Sequence, residues 1–266
     1  MAIPKEIARK IPAEIFLMRS LILSDIHANL EALEAVLTAA PDHDVVWNLG
    51  DVVGYGASPN EVIDRVQPLG ELIVRGNHDR ACCGLATFEF SQHALHANRW
   101  TESALSHKHR EWLRKLAAGP VTPRESAVSC VHGSPQGEDT YLLTLGDALP
   151  ALQAPYGRIT FFGHTHWQVA FATNGENPVR VQPEYALSDQ PEHYELQIQD
   201  GTCYLLNPGS VGQPRDRDWR AAFAVYDDEQ SLFTWYRVPY DVAGAQRRIL
   251  DAGLPNALAF RLELGL

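Results

Sequence analysis

Five times along the chain a short apolar run stops at a cluster of Asp, Asn, His and Gly. Leu21-Ile22-Leu23 gives way to Ser24-Asp25-Ile26-His27, Val45-Val46-Trp47 to Asn48-Leu49-Gly50-Asp51, and Leu72-Ile73-Val74 to Arg75-Gly76-Asn77-His78-Asp79. The run over residues 127–131 ends in His132-Gly133-Ser134-Pro135, and that over 158–162 ends in Gly163-His164-Thr165-His166. Short β-type runs bounded by turn residues read as strands. Helical patterns lie between them. Asn29 is placed to cap a helix over residues 30–40. Ser58-Pro59-Asn60-Glu61 has the wording of a capping box with Pro at the first helical position. Residues 85–116 turn helical and polar, with Trp100, Leu105, Trp112, Leu113 and Leu116 as candidate buried positions, and another helix is expected at 147–153. Strand alternating with helix predicts a sheet with parallel pairs, in which functional groups collect at the carboxyl ends of the strands.

After His166 the pattern becomes β-type, with segments at 168–172, 179–182, 194–199, 202–206, 221–226 and 232–238, expected to form a second sheet packed on the first. Asn207-Pro208-Gly209-Ser210-Val211-Gly212 reads as a turn cluster among them. The tail, 242–252 and 256–264, predicts two short helices broken at Gly253-Leu254-Pro255. No fixed-period repeat and no low-complexity tract interrupts this order. The expected organisation is an extension over 1–17, with Met18 as an alternative start, and one domain over 18–266 with a helical insertion at about 85–118.

Composition narrows the function classes. The balance of 22 Lys+Arg against 33 Asp+Glu leaves a net charge of −11, so no global basic surface is available to release counterions from a polyanion, and nucleic acid is not expected as a partner. A local cationic pocket remains compatible with that balance. Charges at Lys5, Glu6, Arg9, Lys10, Glu14 and Arg19 break up the first twenty residues, leaving no signal peptide or membrane span and favouring a cytoplasmic location. Cys82, Cys83, Cys130 and Cys203 lack Cys-x-x-Cys spacing and read as small core residues.

The polar clusters carry the candidate chemistry. In extended backbone, residues two apart face one side, so Asp25 and His27 are expected to address one ion. Gly-Asn-His-Asp is by itself an ordinary turn sequence; its weight comes from four other strands ending the same way. His164 and His166, two imidazoles flanking one residue directly after a strand, are better explained by metal ligation than by core packing. His93, His96, His107 and His109 follow no strand, and they read as solvated or partly packed; Lys108, Arg110, Arg114 and Lys115 read as a wet helix face.

Asp25-x-His27, Gly50-Asp51, Gly76-Asn77-His78-Asp79, His132-Gly133 and Gly163-His164-x-His166, in this order, resemble the five motifs of the calcineurin-like metallophosphoesterases. The wording of residues 50–56 and 207–212 resembles the small bacterial and archaeal YfcE-like branch. The resemblance implies a four-layer αββα sandwich, two mixed sheets flanked by helices, with a binuclear metal site at one edge. It implies one metal held by Asp25, His27, Asp51 and His166 and a second by Asn77, His132, His164 and again Asp51. A carboxylate has two oxygens and can bridge two cations, which suits Asp51. Such cations sit roughly 3.5 to 4 Å apart and activate water between them. His78 would serve beside them as the catalytic acid or charge stabiliser, with Asp79 orienting it, and an imidazole there titrates in a useful range. N and O ligands without thiolate suit manganese first, and iron, nickel, cobalt or zinc as alternatives. Arg80, Arg215 and Arg217 are candidate phosphate contacts. The implied activity is hydrolysis of a small phosphodiester or phosphomonoester, with homo-oligomerisation left open. An inactive scaffold of the same fold is the alternative, against which the full ligand set counts.

Overall fold

The computed structural model describes residues 18–85, 90–123, 128–186 and 188–266; the expected extension over 1–17 lies outside them. Its strands are β1 (Arg19–Leu23), β2 (Val45–Asn48), β3 (Gly70–Ile73), β4 (Val128–Cys130), β5 (Ile159–Phe161), β6 (Gln168–Thr173), β7 (Val179–Val181), β8 (Glu192–Gln197), β9 (Cys203–Pro208), β10 (Ala221–Asp227) and β11 (Leu232–Val238). Its helices are α1 (Leu30–Ala39), α2 (Pro59–Val66), α3 (Asn77–Cys82), α4 (Gln92–Ala104), α5 (His107–Arg114), α6 (Leu145–Gln153), α7 (Val242–Asp251) and α8 (Asn256–Phe260), followed by a 3-10 turn at Leu262–Leu264.

Two mixed sheets result, in the orders β3-β2-β1-β10-β11-β8 and β4-β5-β9-β6-β7. β1, β2 and β3 are parallel in the first, and β4, β5 and β9 are parallel in the second. The alternation inside β1 shows why the sheets stack. Ile22 points into the layer between the sheets with Trp47, Phe161, Ala224 and Trp235. Its neighbours Leu21 and Leu23 point the other way, onto Leu33 and Val36 of α1 and Ala245 and Ile249 of α7. On the far side, Phe162, Val169, Phe171 and Leu205 pack on Ala148, Ala151 and Leu152 of α6. The architecture is a four-layer αββα sandwich, as the motifs imply. Each fully buried Leu or Phe stabilises it by about 1.5–3 kcal/mol relative to exposure. Among the described residues, no helix is long and apolar enough to cross a membrane.

The late β-type segments do not form a sheet of their own. β8, β10 and β11 join the first sheet, while β6, β7 and β9 complete the second with β4 and β5. β10 is buried along its whole length, so it needs partners on both edges and cover on both faces. It finds them by pairing antiparallel with β1, Leu21 opposite Val225, and with β11.

Local signals fare unequally. Asn29 Oδ1 accepts from the Ala32 amide and caps α1. α2 begins with Pro59 as expected, but Ser58 makes no side-chain cap: its amide donates to Ala28 O at 3.1 Å, tying it to the neighbouring loop. In α4, α5 and the residues that follow each, Leu105 and Leu113 are buried while Trp100, Trp112 and Leu116 pack partly. His93, His96 and His107 are exposed. His109 is buried, with Nδ1 on Asn60 Oδ1 at 2.8 Å and Nε2 on Asp64 Oδ1 at 3.0 Å.

Candidate metal centre

The carboxyl ends of β1, β2 and β3 abut those of β4 and β5, and the five polar clusters meet there. The chain makes this turn at a cost. Asp25, His27, Asp51, His164 and His166 all have positive φ, between 50° and 67°, a region that costs a non-glycine residue of order 1–3 kcal/mol and that clusters at functional sites. Asp25 and His27 therefore do not share a side through extended backbone. Two left-handed residues bend the chain so that both face inward, and cross-loop bonds hold the bend: the Asp25 amide donates to Gly50 O and that of His27 to Asp51 O, each at 2.9 Å. Glycine is required where the loops touch. A Cβ on Gly76 would stand 2.0 Å from Asp51 Oδ1, and one on Gly163 2.0 Å from Ser24 Oγ.

One half of the centre is Asp25, His27 and His166, whose ligating atoms lie within 4.8 Å of one another. His27 Nδ1 faces Val53 O at 3.2 Å and His166 Nδ1 faces Gln213 O at 2.5 Å. A carbonyl only accepts, so both protons sit on Nδ1 and both Nε2 atoms present lone pairs. These lone pairs oppose each other at 3.2 Å, with Asp25 Oδ1 3.2 Å from His166 Nε2. The other Asp25 oxygen is occupied by Ser24 Oγ at 2.6 Å and the His164 amide at 3.0 Å, whereas Oδ1 is buried without a hydrogen-bond partner. Burial holds His27 and His166 below the usual imidazole range. Burial would raise Asp25, but the charge its histidine neighbours carry when protonated, His166 first and then His132, holds it well below the usual carboxylate range. Ionised carboxylate and neutral imidazoles are what a cation needs.

The other half is Asp51, His132 and His164. His132 Nδ1 donates to Leu49 O at 2.9 Å, which turns Nε2 toward Asn77 Oδ1 at 3.1 Å and Asp51 Oδ2 at 3.3 Å. Burial alone would lower His132; the Asp51 carboxylate overrides it and pushes the imidazole up to about 9. A proton thus stands where two oxygens and a nitrogen converge. His164 Nε2 bonds Asp139 O at 3.2 Å, leaving its Nδ1 to the centre. Asp51 joins the halves differently from the two-oxygen bridge that its chemistry suggested. Oδ1 accepts from the His78 amide at 2.8 Å, and Oδ2 alone faces both His27, at 3.6 Å, and His132. The seven candidate ligands are thereby brought together, and the donor set fits divalent transition metals.

His78 lies against the same centre, its ring 4.9 Å from that of His27 and 4.4 Å from Tyr55, and with His27 and Asp51 it forms a third grouping of metal-ligating type. Asp79 does not orient it: the Asp79 carboxylate accepts from the Gly76 and Val53 amides at 3.0 and 3.1 Å. The orienting group is Asn98 of α4, whose Oδ1 accepts from His78 Nδ1 at 2.7 Å. Burial pushes His78 down to about 4, so without bound ligands it is neutral at physiological pH rather than poised near 7.

A cavity of about 330 Å³ opens beside this edge, lined in part by Asn77, His78, His164, Tyr55 and Tyr141. Arg80 and Arg215 also line it. Arg80 is buried and paired with Glu138 and with Asp139 at 2.8 Å; Arg217 is exposed and takes no part in the lining. Sequence reasoning missed Asn98, Tyr141 and Arg261, which sit in helical or loop segments with no motif around them. Tyr55 lies within residues 50–56, whose wording gives it no role. The turn at 207–212 also proves to be a brace: Asn207 Nδ2 donates to Gly163 O at 2.8 Å and Ser210 Oγ to Asp25 O at 2.7 Å.

An αββα sandwich whose strand tips converge on buried Asp and His presents a candidate metal-binding centre. The model of the calcineurin-like phosphoesterase superfamily domain matches residues 18–231, and the chain belongs to that superfamily. It is 32% identical over 251 residues to an uncharacterized protein of Methanocaldococcus jannaschii, covering 92% of this chain and 97% of the relative. The crystal structure of a metallophosphoesterase from Sphaerobacter thermophilus is similar with TM-score 0.82 at 37% identity, covering 94% of this chain and 100% of that one. A hypothetical protein from Pyrococcus horikoshii shares the fold, with TM-score 0.71 at 20% identity over 93% and 98% of the two chains. Membership supports phosphoester hydrolysis in general, with divalent metal as cofactor.

Proposed function

We propose that residues 18–266 act as one two-metal phosphoesterase domain that hydrolyses a small phosphodiester or phosphomonoester. The observation that carries this reading is the single oxygen Asp51 Oδ2, set between His27 of one half and His132 of the other. Asp25, His27, His166 and Asp51 would hold one ion; Asp51, Asn77, His132 and His164 would hold the second. Bound there, divalent cations supply neutralisation of the phosphoryl oxygens and activation of water as nucleophile. Manganese is the first choice for an all-N/O donor set, with iron, nickel, cobalt and zinc as alternatives.

The chain's own residues do the rest. His78, with Nδ1–H committed to Asn98, presents Nε2 to the reacting phosphoryl group. A bound phosphoryl anion raises the affinity of that nitrogen for a proton, which His78 then gives to the departing oxygen. Arg215 faces the cavity as a phosphate contact. Arg80 is mainly a brace for the 138–139 loop, since two carboxylates already occupy its guanidinium. The net charge of −11 continues to disfavour long nucleic acids.

Two equivalents of transition metal per chain and hydrolysis of bis-p-nitrophenyl phosphate that a chelator abolishes are the expected results. Activity indifferent to chelation would overturn the mechanism. A broad phosphoester panel inert with every metal, manganese included, would favour the scaffold reading.

A further inference from the structure

The cavity contains one feature that hydrolysis of a simple phosphoester does not call for. Arg215 and Arg261, the second from the turn after α8, both line it, and both guanidinium carbons lie 5.7 Å from the centroid of the Tyr55 ring. Neither forms an ion pair with a carboxylate among the described side chains. Arg215 bonds Tyr55 Oη at 3.4 Å and Gln213 Oε1 at 3.2 Å, and its Nε is buried without a hydrogen-bond partner. Arg261 Nε donates to the main-chain oxygen of Leu266, the last residue, which is an oxygen of the terminal carboxylate. The two positive charges repel one another: burial and Arg215 together push Arg261 down to about 10.

Two half-buried arginines held together on one ring repel, and the one carboxylate beside them, the chain terminus at Leu266, leaves a net positive charge that an anion would neutralise. Arg80, on the same cavity wall, shows the other solution, since it is neutralised by Glu138 and Asp139. The Tyr55 ring touches the ring of His78 at 4.4 Å and that of His27 at 4.7 Å, so the arginine pair lies one side chain away from the proposed reaction centre. Tyr141, stacked on His164 at 3.9 Å, supplies a second aromatic surface on the cavity wall. A guanidinium forks onto two oxygens of a phosphoryl group, and two guanidiniums match its double charge.

From this we infer that Arg215 and Arg261 form a second phosphate subsite, and that the substrate carries, besides the phosphorus that reacts, another phosphoryl group on the same small molecule. The inference rests on the reading of the Asp51 centre as the reaction site, and it narrows the substrate to compounds whose second phosphoryl group reaches past the Tyr55 ring, which stands 4.4 Å from His78 and 5.7 Å from each guanidinium carbon.

The test separates the two readings by using ligands that cannot turn over. Benzylphosphonate and p-xylylenebisphosphonate, which differ only by the second phosphonate, are titrated calorimetrically into the manganese-loaded protein. The bisphosphonate is expected to bind at least about tenfold more tightly, in keeping with a desolvated charge-assisted pair worth more than 1.4 kcal/mol. In Arg261→Gln the two probes should differ by less than about threefold, and Arg261→Lys should recover part of the gap. Equal affinities in the unsubstituted protein overturn the subsite, and that comparison needs no variant to fold. A gap that survives both Arg261→Gln and Arg215→Gln overturns its assignment to these residues. Absence of hydrolysis would sink the enzyme reading and leave this difference in binding intact.

Discussion

Two of the clusters of buried charge among the described residues are built on opposite plans. Around Arg220 and Arg237, every charge meets its opposite. Arg220 reaches Asp218 at 2.6 Å and Glu192 at 2.6 Å, and Arg237 pairs with Asp216 while its Nε rests on Gln168 Oε1 at 2.9 Å. At the strand tips, Asp25, Asp51 and the histidines offer lone pairs to one another, with a single proton on His132 as the main concession. The first cluster pairs its charges, although Asp216 Oδ1 has no hydrogen-bond partner, and fastens β6 of one sheet to β11 of the other. The second leaves acceptors facing one another, an arrangement that cations would complete. Burial of charge alone does not distinguish a structural network from a reaction centre; the excess of acceptors over donors does.

The sharpest way to break that contrast is to remove Asp51. Asp51→Ala should lose both metal equivalents, measured by elemental analysis, and reduce phosphoester hydrolysis to background. It should also lose the rise in melting temperature that added metal gives the unsubstituted protein. Retention of two metals would show that Asp51 is not the junction. His78→Ala should keep both metals and lower turnover by roughly 10²–10⁴, the scale of a positioned acid or base; unchanged kcat would remove His78 from the chemistry.

The paired cluster should behave in the opposite sense. Asp218→Ala leaves Arg220 buried beside an incomplete set of partners and should cost about 3–5 kcal/mol in denaturant unfolding, with metal content unchanged. A smaller loss, or a loss of metal, would erase the distinction drawn above. A milder probe uses pH. Burial would keep His132 neutral, but Asp51 holds its proton up to about 9, so below that value a cation must displace a proton. Affinity for the second metal should therefore fall by roughly tenfold for each unit of pH lowered from 8 to 6, and calorimetry in buffers of different ionisation enthalpy should register proton release. The smallest effect is expected for Asn98→Ala. Loss of one orienting hydrogen bond should lower kcat by about 3- to 10-fold and shift the pH profile with KM little changed; a shift in KM alone would make Asn98 structural.

Much of this was legible in the chain before any coordinate. Each of the five polar clusters follows a strand that its apolar run marked, because a strand needs only a few consecutive residues and a ligand at its tip is adjacent in sequence. Misreadings arose where the reason was non-local. Asp25 and His27 converge through two left-handed residues, which period-two reasoning cannot produce. Asp79 looked like the partner of His78 because it is its neighbour, yet the partner is Asn98, twenty residues on and across a helix. The late strands looked like one sheet because they are consecutive, but β10 needed β1.

The order and identity of the metal-ligating side chains are properties of the sequence, since each motif is local and its donor atoms are written in its residues. Which lone pairs face one another, which arginine is neutralised and which is left for a ligand, and how Asp51 divides its oxygens were decided only by packing. Those outcomes depend on distances between segments that share no sequence neighbourhood, and burial removes the water that would otherwise make every such arrangement equivalent.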